Sequence, residues 1–242
     1  MTDRFLARLR SWRSDRTMPI IAEIKPSTPA HGDLLRGRRI EDIVAAYEAA
    51  GAACISVVTG RWFGGSAHLL EQVAATTKLP ILHKDFIVTA AAIARSAALG
   101  ASAVLVTSSV ITRRALVRLV DEALALGLTP FVELASSAEL RDLGLPPGAI
   151  AAVNNQDIRS QECSGDGVSR SFELLAMAKA TGAGAIVSAS GIASPAAARS
   201  LLAAGYDGLL IGTAVLRADD LARTLSEFRS ELVEAGVRSA VA

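Results

Sequence analysis

Short apolar runs alternate with longer amphipathic stretches along most of the chain. Each run is rich in Val, Ile, Leu and Ala, and polar or Gly-containing residues separate it from an Ala- and Leu-rich stretch. The starts of the runs lie roughly 20 to 35 residues apart, the length of one strand–helix unit. The eight runs are Pro19–Lys25, Ala53–Thr59, Pro80–Lys84, Ser102–Thr107, Thr129–Leu134, Ile150–Asn154, Ala185–Ser188 and Asp207–Ile211. We therefore predict eight parallel strands alternating with helices.

The amphipathic stretches end at helix stop signals. Pro195 opens one of them and Gly205 follows its end, which is the usual asymmetry of helix termini. The clearest helical stretches are Glu41–Ala50, Ala90–Leu99, Thr112–Leu126 and Pro195–Ala204. An open doubly wound sheet is an alternative, but eight units favour closure into a single (β/α)8 TIM barrel.

The chain has no linker or shift in composition that would mark a boundary between two large domains. Its 242 residues agree with one barrel of about 250 residues. We predict a short N-terminal helical segment over residues 1–18 and the barrel over residues 19–242. The predicted N-terminal helix has one apolar face, formed by Phe5, Leu6, Leu9 and Trp12.

Composition excludes several classes of partner. Lys and Arg number 25 against 24 Asp and Glu, so the net charge of +1 favours neither nucleic acid nor a membrane surface. The N-terminus lacks an apolar leader, and no apolar run approaches the roughly 18 residues of a membrane span. Cys54 and Cys163 offer neither a disulfide framework nor a four-ligand zinc site, and each is read as a small hydrophobe or a loop thiol. We expect a cytoplasmic protein.

Polar residues collect at the carboxyl ends of the predicted strands, where TIM barrels carry their active sites. Glu23 and Lys25 are two residues apart on the first strand, so their side chains share a face. The third strand ends with Lys84 and the fifth with Glu133. Other polar residues at strand ends are Ser56, Thr59, His83, Asp85, Thr107, Ser108, Ser109, Asn154, Asn155, Gln156, Asp157, Ser188 and Ser190. A structural ion pair would explain Glu23 and Lys25 alone, but four charged groups on three strands favour catalysis.

The last two strands are followed by glycine next to a hydroxyl residue. The stretches SASGI (188–192) and LIGTAV (210–215) place Gly191 and Gly212 at these positions. Loops after the seventh and eighth strands of such barrels frequently bind phosphate through backbone N–H groups. Each glycine alone could be only a turn residue, but the two together predict a phosphorylated substrate.

The histidines lack the spacing of a metal site, and no nucleotide-binding glycine motif or nucleophile elbow is present. Lys84 fits two kinds of chemistry. It could form a Schiff base, or it could act as a protonated acid held by a carboxylate. The residues alone leave both open.

Seven stretches together resemble the indole-3-glycerol-phosphate synthase family, in the order and spacing of its strand-end motifs. The resemblance covers Pro19 to Leu216, and its most specific parts are the KDF after the third strand, the FGGS after the second and the NN.D after the sixth. The stretches are IAEIKPSTPAHG (21–32), SVVTGRWFGGS (56–66), LHKDFIV (82–88), FVEL (131–134), AVNNQDI (152–158), VSASGI (187–192) and LLIGTAV (209–215).

The resemblance implies a reaction that closes a pyrrole ring and loses CO2 and water, without cofactor or metal. Lys84 would be the general acid, and Glu133 its carboxylate partner. Glu23 and Lys25 would take part in the dehydration, and Asn154 would hold a substrate hydroxyl. The implied substrate and phosphate contacts are Ser27, Phe63, Gly64, Ser188, Ser190, Gly191, Gly212 and Thr213.

The chain departs from the family pattern at several positions. Ala189 stands where the family has an active-site glutamate, and Gln156 where an arginine faces the substrate carboxylate. Pro26 and His83 replace basic residues that are common in the family. The segment before the first strand is also shorter than usual. These changes would weaken recognition of the carboxylate on the aromatic ring.

Three functions therefore stay open at this point. The chain could be the synthase, or a diverged paralogue acting on a different sugar phosphate in secondary metabolism. A third possibility is a non-catalytic barrel that binds a phosphorylated ligand, although a scaffold has little reason to keep buried lysines and glutamates. We expect a phosphorylated small molecule as ligand and a monomer or weak homodimer in solution.

Overall fold

Eight parallel strands close into a barrel in this computed structural model, which describes residues 4–12, 17–156 and 167–239. Asp157 and Cys163 lie outside the described residues. The barrel strands are β1 (Met18–Ile24), β4 (Ala52–Val58), β5 (Ile81–Lys84), β6 (Ala103–Thr107), β7 (Thr129–Leu134), β8 (Ile150–Asn154), β9 (Ala185–Ala189) and β10 (Gly208–Ile211). Neighbours along the chain pair in sequence order, and β10 pairs with β1. Two short strands, β2 (Ser27–Thr28) and β3 (Gly32–Asp33), form an antiparallel hairpin after β1.

Helices follow the strands and cover the outside of the barrel. Ser66, Thr89, Thr112 and Ser194 cap four of them, each accepting a hydrogen bond on its side chain from a backbone N–H three residues on. The helices are α1 (Arg4–Arg10), α2 (Ile40–Ala50), α3 (Ala67–Thr76), α4 (Ala90–Ala98), α5 (Arg113–Ala125), α6 (Ser137–Leu140), α7 (Ser169–Ala180), α8 (Pro195–Ala204), α9 (Thr213–Leu216) and α10 (Leu221–Ser239).

The predicted single (β/α)8 barrel is confirmed, and all eight predicted runs are strands. The bounds of β7 and β8 agree with the prediction, and the other strands differ by one residue at one or both ends. Lys25 and Thr59 lie just beyond β1 and β4 rather than within them. Ladder hydrogen bonds set these ends, and an apolar run does not show where they stop.

Hydrophobic side chains form two cores, one on each side of the sheet. The outer core lies between the strands and the surrounding helices. The inner core fills the barrel, with Ile21, Leu82, Phe131 and Leu210 among its members. Because strand side chains alternate, this membership shows which residues of each strand point inward.

Helix α1 closes the amino-terminal end of the barrel. Its residues Phe5, Leu6 and Leu9 are buried and belong to the inner core, as the predicted apolar face requires, whereas Trp12 is half-buried. A Cβ on Gly208, the first residue of β10, would lie 2.7 Å from Leu9 Cδ1, so glycine allows the helix to approach this closely. Cys54 is buried beside α1, with its Sγ 3.8 Å from the carbonyl of Phe5. A ligand can therefore enter the barrel from its carboxyl-terminal end.

We expect Leu9→Ala to lower the free energy of unfolding by about 2–5 kcal/mol, because it leaves a cavity in the inner core. Leu126→Ala is the matched control, since Leu126 is 43% exposed, and it should cost less than about 1 kcal/mol. Urea unfolding at equilibrium measures both values. Equal losses for the two variants would contradict a core role for α1.

Candidate active site

Several charged and polar side chains point into the barrel at its carboxyl-terminal end, among them those of Glu23, Lys84, Glu133 and Asn154. Glu23 on β1 and Lys84 on β5 lie two residues beyond the inner-core residues Ile21 and Leu82, and so they point inward as well. Glu133 on β7 and Asn154 on β8 stand in the same relation to Phe131 and Ala152, and both are buried. The structure therefore brings together the charged groups that the sequence predicted at three strand ends.

Glu23 lies between two ammonium groups. Its Oε2 is 2.9 Å from Lys84 Nζ, and its Oε1 is 3.3 Å from Lys25 Nζ. The side chains of Glu23 and Lys25 are only 3% and 4% exposed, and that of Lys84 is 13% exposed. Burial would raise the pKa of Glu23, but the charges of Lys84 and Lys25 outweigh it and lower that pKa to about 2. The carboxylate is therefore ionised at neutral pH.

Two neighbours fix the position of Glu23. The Tyr47 hydroxyl on α2 donates a 2.8 Å hydrogen bond to the backbone carbonyl of Glu23. A Cβ on Gly212 would lie 2.7 Å from Glu23 Oε1 and 2.8 Å from Glu23 Cβ. Gly212 therefore leaves the room that the Glu23 carboxylate needs where the loop after β10 passes over it. The glycine motif in the sequence did not indicate this role.

Two cavities open side by side at this end of the barrel. The first, which we call the aromatic cavity, has a volume of about 340 Å³ and is lined by Trp62, Phe63, Phe86, Leu105, Lys84 and Glu133 among others. The second, the polar cavity, has a volume of about 370 Å³ and is lined by Glu23, Lys25, Ser190, Gly191, Thr213 and Arg217 among others. The ion pair between Lys84 and Glu23 joins them, because each cavity is lined by one of its two members.

The polar cavity contains the predicted phosphate-binding residues Ser190, Gly191, Gly212 and Thr213. Ser190 and Gly191 both have positive φ, +64° and +70°, so the backbone turns sharply after β9. A Cβ on Gly191 would lie 2.5 Å from the carbonyl oxygen of Gly167. Two cations, Lys25 and Arg217, also line this cavity, which makes it suited to an anion.

Ser188 was predicted as a substrate contact, and the structure places it elsewhere. On β9 the inner-core residues are Val187 and Ala189, so Ser188 points outward. It is fully buried, with its hydroxyl 2.7 Å from that of Ser171 on α7. The two faces of a buried parallel strand are equally apolar, so the sequence did not show which way Ser188 points.

His83 also points outward, although it adjoins Lys84. Its Nδ1 lies 2.8 Å from Ser96 Oγ on α4, and its Nε2 lies 2.8 Å from Thr59 Oγ1. The Thr59 hydroxyl donates to Asp85 Oδ2 at 2.6 Å. Burial lowers the pKa of His83, so the ring is neutral at neutral pH. This chain of hydrogen bonds supports the loop after β5.

The predicted substrate contacts Phe63, Ser27 and Gly64 occupy two different places. Phe63 lines the aromatic cavity, and Lys25 Nζ lies 5.4 Å from the centre of its ring. Ser27 and Gly64 pack against each other, since a Cβ on Gly64 would lie 3.1 Å from Ser27 Oγ. Neither residue is among those lining the two cavities.

Sequence reasoning assigned no role to several residues that shape the site. Asn155 Nδ2 donates to the carbonyls of Ala189 and Ser190 at 3.1 and 3.0 Å, and so it holds the loop after β9. Trp62 and Phe86 line the aromatic cavity with their ring centres 5.5 Å apart. Aromatic residues make up only 4% of the chain, so their presence after two strands was an available signal.

Within the described ranges, no group of three or more His, Cys, Asp or Glu side chains could hold a metal ion. None of the helices in the described parts of the chain is long and apolar enough to span a membrane.

Comparison with known proteins shows the family to which this chain belongs. The family model described as "Indole-3-glycerol phosphate synthase" matches residues 1–228. The chain belongs to this family. A relative named indole-3-glycerol phosphate synthase, from Pyrococcus furiosus, is 39% identical over 220 residues, which are 90% of this chain and 95% of the relative. The Carboxydothermus hydrogenoformans protein of the same name is 37% identical, over 85% of this chain and 77% of the relative.

Two further similarities are more limited. The Archaeoglobus fulgidus tryptophan biosynthesis protein TrpCD is 38% identical over 83% of this chain, and the match spans 35% of that longer protein. The crystal structure of 3-hexulose-6-phosphate synthase from Salmonella typhimurium superposes with a TM-score of 0.67, covering 89% of this chain and 99% of that one. Its sequence identity is 15%, so this likeness shows the barrel fold alone.

The departures from the family pattern have clear positions in the structure. Ala189 is fully buried in the inner core at the end of β9, where it pairs in register with Asn154 and Leu210. A methyl group therefore lies where the resemblance implies a carboxylate. Gln156 lines both cavities, and Pro26 follows β1 directly after Lys25.

The low pKa of Glu23 predicts how Glu23→Gln changes stability with pH. The carboxylate has a pKa of about 2 in the folded chain against 4.5 as its ordinary value, so its ionisation stabilises the fold above about pH 4.5. Glu23→Gln should therefore be less stable than the wild type at pH 7, because it removes the negative charge that lies beside two buried ammonium groups.

As the pH falls from about 4.5 towards 2, the wild type loses this stabilisation and the gap between the two proteins should narrow. Urea unfolding at a series of pH values measures the gap. Glu71→Gln, at an exposed position, is the control and should show little difference at any pH. A gap for Glu23→Gln that is constant with pH would contradict the ion cluster.

Proposed function

We propose that the protein acts as an indole-3-glycerol phosphate synthase. Its substrate would be a carboxyphenylamino deoxyribulose 5-phosphate, and the reaction would be a carboxy-lyase step with ring closure and loss of water. The observation that carries the proposal is the Lys84–Glu23 ion pair, which connects an aromatic cavity with a polar one. A substrate with an aromatic ring at one end and a phosphate at the other would then have its ketone beside Lys84.

The two cavities suggest how the substrate lies. Trp62, Phe63 and Phe86 offer aromatic surfaces for the ring, which favours offset or edge-to-face contacts. Lys25 and Arg217 supply positive charge for the phosphate, and Ser190, Gly191, Gly212 and Thr213 supply hydroxyls and backbone N–H groups. Asn154, buried beside Lys84 and Glu133 in the aromatic cavity, would hold a substrate hydroxyl.

Lys84 is suited to act as a general acid in the first half of the reaction. The ring carbon that bears the carboxylate forms a bond to the ketone carbon, and the ketone oxygen takes a proton from the Lys84 ammonium. The carboxylate then leaves as CO2, and its bonding electrons return to the ring. The Glu23 carboxylate 2.9 Å away favours the charged form of Lys84, which supports an acid role over a Schiff base. Glu133 would orient Lys84 and exchange its proton.

The second half of the reaction removes water. The new hydroxyl leaves with one proton, and a carbon-bound proton is lost to form the pyrrole ring. Lys25 and Glu23 lie 3.3 Å apart and offer an acid and a base in one place. Burial of both groups strengthens their electrostatic effect on charge that develops in the reaction.

The family match and the intact cluster of lysines and glutamates favour synthase activity over a different reaction or a binding-only barrel. The replacements at Ala189 and Gln156 are then changes within a working site. Location in the cytoplasm, and a monomeric or weakly dimeric state, remain predictions.

Incubation of the purified protein with the substrate should produce indole fluorescence, and Lys84→Met should lower kcat by about 10² or more. Lys78→Met is the matched control, because Lys78 is exposed, and it should keep the wild-type rate. A folded wild type without turnover would refute the synthase assignment. A loss below about threefold in Lys84→Met would refute the acid role alone.

A further inference from the structure

The hydroxyl of Thr107 is buried in the aromatic cavity without a partner. Thr107 ends β6 and points inward, two residues after Leu105, and both residues line the cavity. It is 3% exposed, and its Oγ1 makes no hydrogen bond to any part of the chain that the structure describes. A buried hydroxyl without a hydrogen bond costs about 1–3 kcal/mol, so a ligand that supplied the missing bond would be favoured at this point.

Lys84 and Asp85, two of the charged residues that line the cavity, already have partners. The Lys84 ammonium pairs with Glu23 at 2.9 Å. Asp85 accepts from the Thr59 hydroxyl on Oδ2 and from the backbone N–H of Phe86 on Oδ1, at 2.6 and 2.8 Å. Lys84 is also the one cation among the described residues that line the aromatic cavity. Any anionic group in the cavity would therefore depend on neutral donors for most of its hydrogen bonds.

The substrate of the proposed function brings one such group into the cavity. Its ring carries a carboxylate and, on the adjacent carbon, an amine. The amine N–H can donate to the carboxylate beside it, whereas the carboxylate has lone pairs for several further donors. A hydroxyl of the protein could donate one of these further hydrogen bonds to the carboxylate.

We propose that the Thr107 hydroxyl donates a hydrogen bond to the ring carboxylate of the substrate and so determines its recognition. This inference rests on the proposed function and goes beyond it, because it assigns recognition of the carboxylate to a neutral residue. The neutral Gln156 amide, which lines the same cavity, stands where the resemblance implies an arginine.

A neutral donor also suits the chemistry of this group. The carboxylate is lost as CO2 during the reaction, so its negative charge disappears as the transition state is passed. A strong ion pair would stabilise the charged ground state more than the transition state and would raise the barrier. A hydroxyl stabilises the charged ground state less than an ion pair does, so it raises the barrier less.

The test compares two ligands that differ in the carboxylate. One is the reduced substrate, in which an alcohol replaces the ketone and the carboxylate is kept, and the other is indole-3-glycerol phosphate, which has none. Thr107→Val should weaken binding of the reduced substrate about tenfold and change product binding by less than about twofold. Thr107→Ser keeps the hydroxyl and should bind both ligands as the wild type does. Isothermal titration calorimetry measures the dissociation constants.

Thr107→Val should fold normally, because it removes a hydroxyl that has no partner and keeps the shape of the side chain. Its free energy of unfolding in urea should be equal to or greater than that of the wild type. Equal binding of the reduced substrate to Thr107→Val and wild type would overturn the inference while leaving the synthase assignment in place. An equal loss of affinity for both ligands would also overturn the inference. So would a changed pH profile of kcat with unchanged binding, because it would indicate that the Thr107 hydroxyl acts on Glu133 rather than on the substrate carboxylate. A wild type that binds neither ligand would overturn both.

Discussion

The burial of one carboxylate between two ammonium groups is the interaction on which the site depends. Burial alone would raise the pKa of Glu23 and drive it towards its neutral form, and the charges of Lys84 and Lys25 reverse this effect. Together they keep their charges in a place nearly closed to water. Gly212, which leaves room for the carboxylate, and Tyr47, which holds its backbone, are the supports that this arrangement needs.

The amino-terminal end of the barrel contributes to stability, and the carboxyl-terminal end carries the candidate active site. At the amino-terminal end, α1 and the inner core fill the barrel with apolar side chains. At the other end, the same strands present charged residues two positions further along. The rigid strands carry Glu23, Lys84, Glu133 and Asn154, while loops supply the aromatic and phosphate-side surfaces. Of the departures from the family pattern, Gln156 lies in a loop, whereas Ala189 lies on β9 in the inner core.

Hydrophobic periodicity was enough to predict the eight strands and their closure, because each buried run is bounded by turns and helix caps. Position at a strand end was enough to predict Glu23, Lys84, Glu133 and Asn154 as neighbours. It was not enough for Ser188, whose side chain points to α7, because runs that are apolar on both faces do not reveal orientation. The importance of Asn155 and Trp62 depends on loop geometry, which local sequence does not determine. Thr107 was visible as a strand-end residue, but its lack of a partner is a property of the packed structure.

The account therefore depends most on the ionisation of Glu23. A carbon-13 NMR titration of glutamate carboxyl groups, with Glu23 assigned from the Glu23→Gln variant, measures its pKa directly in the folded protein. We expect an apparent pKa of about 2, well below the ordinary value of 4.5. A pKa at or above 4.5 would show that Lys25 and Lys84 do not hold the carboxylate in its charged form, and it would contradict the account.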